Sequence, residues 1–170
     1  MPELLRDFGG RCAYSMQHMA RCGPLEVDHF DPRKKTLVFQ DYANLFPASR
    51  SCNGKKSDWW PTEEEKRAGC RFLNPCEEMD YDEQILEHPI SHELIGLNPA
   101  ARWHIRMCGL NAPLLILERQ KRASHWQTIK DSMFVMKKSN YAQLIEMVTK
   151  YNEEVALMVP LIKYLPKTSI

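Results

Sequence analysis

The sequence predicts an α+β protein in which a short β-hairpin leads into a helix and a mainly helical region follows. Three stretches carry that expectation. Leu25–Phe30 is strand-like, Asp31-Pro32-Arg33-Lys34-Lys35 has turn chemistry, and Thr36–Phe39 is β-branched and aromatic enough for a return strand. Asn53 is expected to open a short helix through Gly54-Lys55-Lys56. Far downstream, Trp126, Ile129, Met133 and Met136 follow three-and-four spacing, and Tyr141, Leu144, Val148, Val155 and Met158 repeat it. Residues 1–61 are therefore expected to form the first unit, 62–96 an acidic irregular connection, and 97–170 a helical region.

The remaining elements follow in order. Trp59-Trp60-Pro61 closes the first unit, with the indoles covering a core edge more readily than stacking on a base. Thr62 supplies a hydroxyl cap, and Glu63, Glu64 and Glu65 sit at the positive end of the helix dipole, so a helix runs to about Gly69. Residues 70–96 lack sustained periodicity, contain Asn74-Pro75 and His88-Pro89, and read as loops with short strand pieces. Pro99–Cys108 reads as a helix stopped at Gly109, and Asn111-Ala112-Pro113 starts a long helix to about Lys138. A last helix begins near Asn140 and ends or kinks at Pro160, so two amphipathic helices in succession predict an antiparallel hairpin.

At 170 residues the chain is one ordinary domain or a small core with an appendage. No apolar run approaches the roughly 20 residues a membrane span needs, and Met-Pro-Glu-Leu-Leu-Arg-Asp is not a secretory leader, so a cytoplasmic protein without a membrane partner is expected. The six cysteines, at positions 12, 22, 52, 70, 76 and 108, then read as thiols or metal ligands. Cys70 and Cys76 are too far apart for a zinc knuckle and read as packing or incidental thiols. A net charge of +1 argues against a nonspecific nucleic-acid binder, but the charge is unevenly spread. Residues 62–93 hold ten acidic against three basic side chains, and residues 94–170 eleven basic against five acidic. Separate surfaces for phosphate and for a protein partner, or two ordinary solvated faces, both account for this.

The chemistry concentrates between Leu25 and Asp58. Asp28 is a hard carboxylate oxygen, His29 a side chain that takes a proton near neutral pH, and Asn53 a second hard oxygen. Oxygen ligands that leave waters in place suit Mg²⁺ or Mn²⁺, and a neighbouring imidazole suits activation of a water, which points to metal-assisted hydrolysis of a phosphodiester. Taken singly these residues say little: Asn44 also fits a turn residue capping its own loop, and Lys55 and Lys56 a solvated helix face. Their succession within one short stretch is the signal.

That succession, Asp-His-Phe-x-Pro, Tyr-x-Asn-Leu and Ser-Cys-Asn-x-x-Lys, resembles an HNH nuclease of the ββα-metal fold. The resemblance implies that His29 is the general base, that Asp28 and Asn53 hold a Mg²⁺ or Mn²⁺ ion, and that Asn44 pins the loop and orients the histidine. It also implies that Lys56, with Lys55 beside it, lies near a substrate phosphate. Arg11-Cys12-Ala13-Tyr14-Ser15 and Ser49-Arg50-Ser51-Cys52 resemble the two cysteine knuckles of such nucleases, each with a serine in place of one cysteine. Cys12 and Cys52 remain as candidate zinc ligands, with Cys22 or His18 as substitutes, but serine is a poor zinc ligand and no structural zinc is expected. Leu110-Asn111-Ala112-Pro113-Leu114 through Arg119 resembles the segment after the HNH core in nuclease subunits of Septu-type and retron-linked antiphage systems. That likeness implies an endonuclease acting on nucleic acid, DNA before RNA, beside an ABC-type ATPase. The alternative is a catalytically inactive HNH-fold module that binds nucleic acid or protein.

Overall fold

The computed structural model describes residues 1–35, 41–135 and 141–161. Strand β1 (Leu25–His29) forms where expected, and its antiparallel partner is β2 (Leu45–Ser49), with Leu25 opposite Ser49 and His29 opposite Leu45. The return strand expected at Thr36–Phe39 lies outside the described residues. Between the strands, Asp31 caps a short 3₁₀ turn at Pro32–Lys34 by accepting from the Arg33 amide. A proline within β2 is tolerated because this is a two-stranded sheet, and the Pro47 carbonyl still accepts from the Ala13 amide at 2.8 Å.

Helix α3 (Arg50–Lys56) follows β2 directly. Asn53 does not open it. Ser49, the last residue of β2, is the cap, its hydroxyl accepting from the Cys52 amide, so Asn53 sits one turn inside. Two short helices precede this unit, α1 (Pro2–Asp7) and α2 (Met19–Cys22). Helix α4 (Glu63–Arg67) carries the capping box that Thr62 and Glu65 spell out, and Gly69 closes it at φ +83°.

The stretch read as irregular holds more order than expected. Helix α5 (Glu78–Gln84) precedes a hairpin of β3 (Ile85–Glu87) and β4 (Leu94–Gly96). Tertiary partners explain it: buried Asp80 takes both guanidinium arms of Arg71 and the Asn74 amide, and buried Tyr81 meets His104 on helix α6 (Pro99–Met107). Gly96 packs against α6 so closely that an added Cβ would lie 2.4 Å from the Arg102 nitrogen, so only glycine fits there. Asn111 then pairs with both backbone groups of Leu94, and the Arg119 guanidinium clamps the carbonyls of His92 and Leu110.

Helices α7 (Pro113–Val135) and α8 (Tyr141–Leu157) form the antiparallel hairpin. Arg122, early in α7, donates to the carbonyls of Val159 and Pro160, while Arg11 from the first unit grips those of Ala156 and Met158. Cations at a helix C-terminus satisfy carbonyls that have no intrahelical donor. Ile129 is buried as the apolar stripe requires, but Trp126 is 44% exposed and lies over the groove beside the end of α8. Trp126 is thus not the core residue its spacing suggested.

One core joins residues from Leu4 to Leu110, and aromatic rings fill it. Phe8, Tyr14 and Phe30 surround Phe46 at centroid separations of 5.8, 6.2 and 5.5 Å. Trp60 packs on Phe30 and Phe72 as the lid the sequence suggested, whereas Trp59 is 59% exposed.

At the centre of this core His104 is fully buried. Its Nδ1 accepts from the Leu73 amide at 3.2 Å, so the ring's proton sits on Nε2 and is donated to the Tyr81 oxygen at 2.8 Å. Burial, helped by the charge of Lys56, holds its pKa down to about 3 from an ordinary 6.5. The folded protein therefore resists a proton that the unfolded chain accepts. Its contribution to stability is whole above pH 6.5 and is lost as the pH falls towards 3, at up to about 1.4 kcal/mol per pH unit. Urea midpoints from pH 7 to pH 4 should fall less steeply for His104→Gln than for the parent; parallel slopes would remove His104 as the cause.

Candidate active site

The turn from β2 into α3 brings the helix across the hairpin, and a depression of about 380 Å³ opens between them. Glu26, Asp28 and His29 from β1 line one side, and Arg50, Asn53 and Gly54 from α3 the other, with Lys35, Ser57 and Asp58 at the ends. His29, Asp28 and Asn53, expected to act together, thus share one surface. The His29 imidazole has no hydrogen-bond partner among the described residues, and Asp58 lines the same depression. Asn44 makes no hydrogen bond to the His29 side chain among the described residues. Its amide pairs with both backbone groups of Asp31, accepting from the nitrogen at 2.7 Å and donating to the oxygen at 3.1 Å, while its carbonyl accepts from the Phe30 amide. It pins the chain immediately after His29, which is half of the role expected of it.

Lys56 corrects the sequence reading most sharply. Expected near a substrate phosphate, it is 0% exposed, with Nζ 2.9 Å from Asp28 Oδ2, 3.1 Å from Asp28 Oδ1, and 2.8 Å from the His29 carbonyl. The Phe72 ring lies 5.2 Å away, giving the ammonium a second favourable surface. Asp28 is correspondingly buried, and its Oδ2 also accepts from Tyr14 Oη at 2.5 Å. Burial, with the Asp28 charge beside it, pushes the Tyr14 hydroxyl well above its ordinary pKa, so it stays protonated and donates. Lys55 also misses the expected role. It packs over Gly109 and lines a separate groove with Arg102 and Arg106 on α6.

Three cleft residues had no place in the sequence reading. Glu26 is exposed two residues before Asp28, and its Oε2 accepts from Asn53 Nδ2 at 2.7 Å. Arg50, in the first turn of α3, lines the cleft on the side of Asn53. Lys35 pairs with Asp58, whose pKa is lowered first by that hydrogen bond. Strand alternation offered a signal for Glu26, since positions 26 and 28 share a parity. Nothing local marked Lys35 and Asp58 as partners.

The oxygens of the lining residues Asn53, Glu26 and Asp28 are the hard type that Mg²⁺ and Mn²⁺ take, with water filling most of the shell. Asp28 Oδ1 carries only the longer Lys56 contact and keeps lone-pair capacity. Among the described residues, no three of His, Cys, Asp or Glu gather into a metal-holding group.

The half-knuckles do converge. Cys12 and Cys52 are buried with their thiols in contact, Ser15 donates its amide to the Cys12 sulfur, and Ser49 caps the helix that carries Cys52. Burial opposes ionisation of Cys12, but the hydrogen bonds from Cys52 and Ser15 lower its pKa, while the same contact and burial raise that of Cys52. The pair joins the loop between α1 and α2 to α3. Cys22 points instead at the carbonyls of Gln17 and Gly23, and His18 caps α2.

No family model, no characterised protein and no solved structure matches the chain. Among the described residues no helix is long and apolar enough to cross a membrane.

Proposed function

We propose that the chain is a metal-dependent HNH-type endonuclease that hydrolyses phosphodiester bonds of nucleic acid, DNA first, and that β1, β2 and α3 are its ββα core. The observation that carries the reading is the juxtaposition of His29, Asn53 and Asp28 around one open depression, with the imidazole ring unengaged among the described residues. In this mechanism His29 takes a proton from water, the oxygen so freed attacks phosphorus in line, and the bond to the 3′ oxygen breaks as that oxygen gains a proton from solvent. Asn44 and Lys56 both hold the backbone directly after the His29 Cα, through Asp31 and the His29 carbonyl. Arg50 takes the phosphate-contacting role in place of Lys55 and Lys56. Asn53 and Asp28 would hold a Mg²⁺ or Mn²⁺ ion, which when bound would neutralise charge developing on the phosphate.

The chain acts, on this reading, in the cytoplasm as the nuclease subunit beside an ABC-type ATPase of an antiphage system. Besides the resemblance around Leu110–Arg119, the support is apolar surface on the hairpin: Leu114 is 74% exposed, Leu117 43% and Ile145 56%. A second reading, a catalytically inactive binding module, draws on Asp28, whose carboxylate is engaged by Lys56 and Tyr14. Purified protein incubated with plasmid, single-stranded oligonucleotide and RNA separates the two. Cleavage of at least one substrate in Mg²⁺ or Mn²⁺, abolished by EDTA, is the expected result; binding without cleavage in either metal would establish the inactive module.

A further inference from the structure

We infer that Glu26 is a positioning residue of the cleft, holding the Asn53 side chain so that its carbonyl oxygen is the end offered to a hard divalent cation. The inference rests on the nuclease reading above and adds a residue to it. An ionised carboxylate only accepts hydrogen bonds, so the contact of 2.7 Å between Glu26 Oε2 and Asn53 fixes which end of the amide is which. The NH₂ group faces Glu26, and Oδ1, the only part of an asparagine that binds a hard cation, is turned to the other side. Without this acceptor the amide rotates between two orientations, one of which presents a donor where a cation needs an acceptor.

Charge points the same way. Asp28 is neutralised at close range by the buried Lys56 ammonium, with Nζ 2.9 Å from Oδ2. Asp58 at the cleft's end is paired with Lys35. Glu26 is the carboxylate of the depression that has no ion-pair partner among the described residues, and it is exposed where Asp28 is buried. The negative charge that draws a divalent cation to Asn53 therefore resides on Glu26. Its exposure also separates this role from a structural one, because truncating an exposed side chain with one hydrogen bond leaves packing intact.

The test is Mn²⁺ affinity of the full chain, measured by electron paramagnetic resonance of free Mn²⁺ and by calorimetry, with thermal melting alongside. Glu26→Gln and Glu26→Ala should each weaken Mn²⁺ binding by about 10–100-fold, the range for partners that orient a metal ligand. Their melting temperatures should stay at the parent's. Glu26→Asp should retain part of the affinity, and Glu26→Ala should cost less in an Asn53→Ala background than in the parent, because the two side chains act as a unit. Parental affinity in Glu26→Gln and Glu26→Ala, or fully additive losses with Asn53→Ala, would overturn the positioning role while leaving the nuclease reading in place. A parent protein that binds no Mn²⁺ would overturn both.

Discussion

Replacing His29 with alanine should reduce cleavage by about 10²–10⁴-fold, the usual worth of a positioned general base. Folding should survive. The ring of His29 is only partly buried, and the contact that ties this position to the interior is made by its carbonyl, which accepts from Lys56 at 2.8 Å. Alanine keeps that carbonyl, so the β1–α3 contact persists while the proton acceptor is lost. Mn²⁺ affinity should also stay near the parent's, in contrast to the Glu26 variants, since an imidazole acting on water is not required to hold the ion. Rates on the substrate that the parent cuts, with melting temperature and Mn²⁺ titration on the same preparation, check all three. Parental rates in His29→Ala would move the base to another residue.

What the sequence revealed, and what it concealed, divides by the range of the interactions involved. Leu25–His29, the capping box at Thr62 and Glu65, and the stop at Gly109 depend on neighbours within a few residues, and each formed as read. The partner of β1 is Leu45–Ser49, a stretch with Pro47 at its centre that is fixed by pairing with β1 and by the Ala13 amide, contacts the local sequence does not show. Asn53 sits one turn inside the helix and not at its start, because the serine at the knuckle position, Ser49, is the cap. Helix α5 was hidden because its side chains are held by Arg71 before the helix and by His104, 23 residues after Tyr81, and not by its own acidic stretch. Within the cleft, Asp28, His29 and Asn53 were legible as a set. Their supports were less so: Glu26 shares strand parity with Asp28, but Tyr14 and Lys56 announce nothing of their role until the fold brings them to Asp28.

The structural demands on Asp28 also bear on its chemical role. A carboxylate held by Tyr14 and Lys56 is a poor place to spend a metal's whole affinity, yet it lies directly before His29 on the same strand. Its first effect is on placement. By drawing Lys56 inward it brings the ammonium onto the His29 carbonyl, so the strand that carries the base is braced against α3, which carries Asn53.

Substituting alanine for Lys56 should therefore be the most destabilising single change in the site, at about 3–5 kcal/mol, the cost of leaving a buried charge without its partner. Asp28 is 4% exposed, and after the loss of Lys56 only Tyr14 donates to its side chain among the described residues. Filling the space with Lys56→Met should recover little, because the loss is electrostatic and not volumetric. Asp28→Asn combined with Lys56→Met should recover much of it, since a neutral amide tolerates burial beside the Tyr14 hydroxyl and no lone charge remains. Urea unfolding of the four proteins, parent, Lys56→Ala, Lys56→Met and the double variant, reads the outcome. A Lys56→Ala protein within about 1 kcal/mol of the parent, the size of an exposed ion pair, would mean that water reaches Asp28 and that the brace beneath His29 is not buried as described.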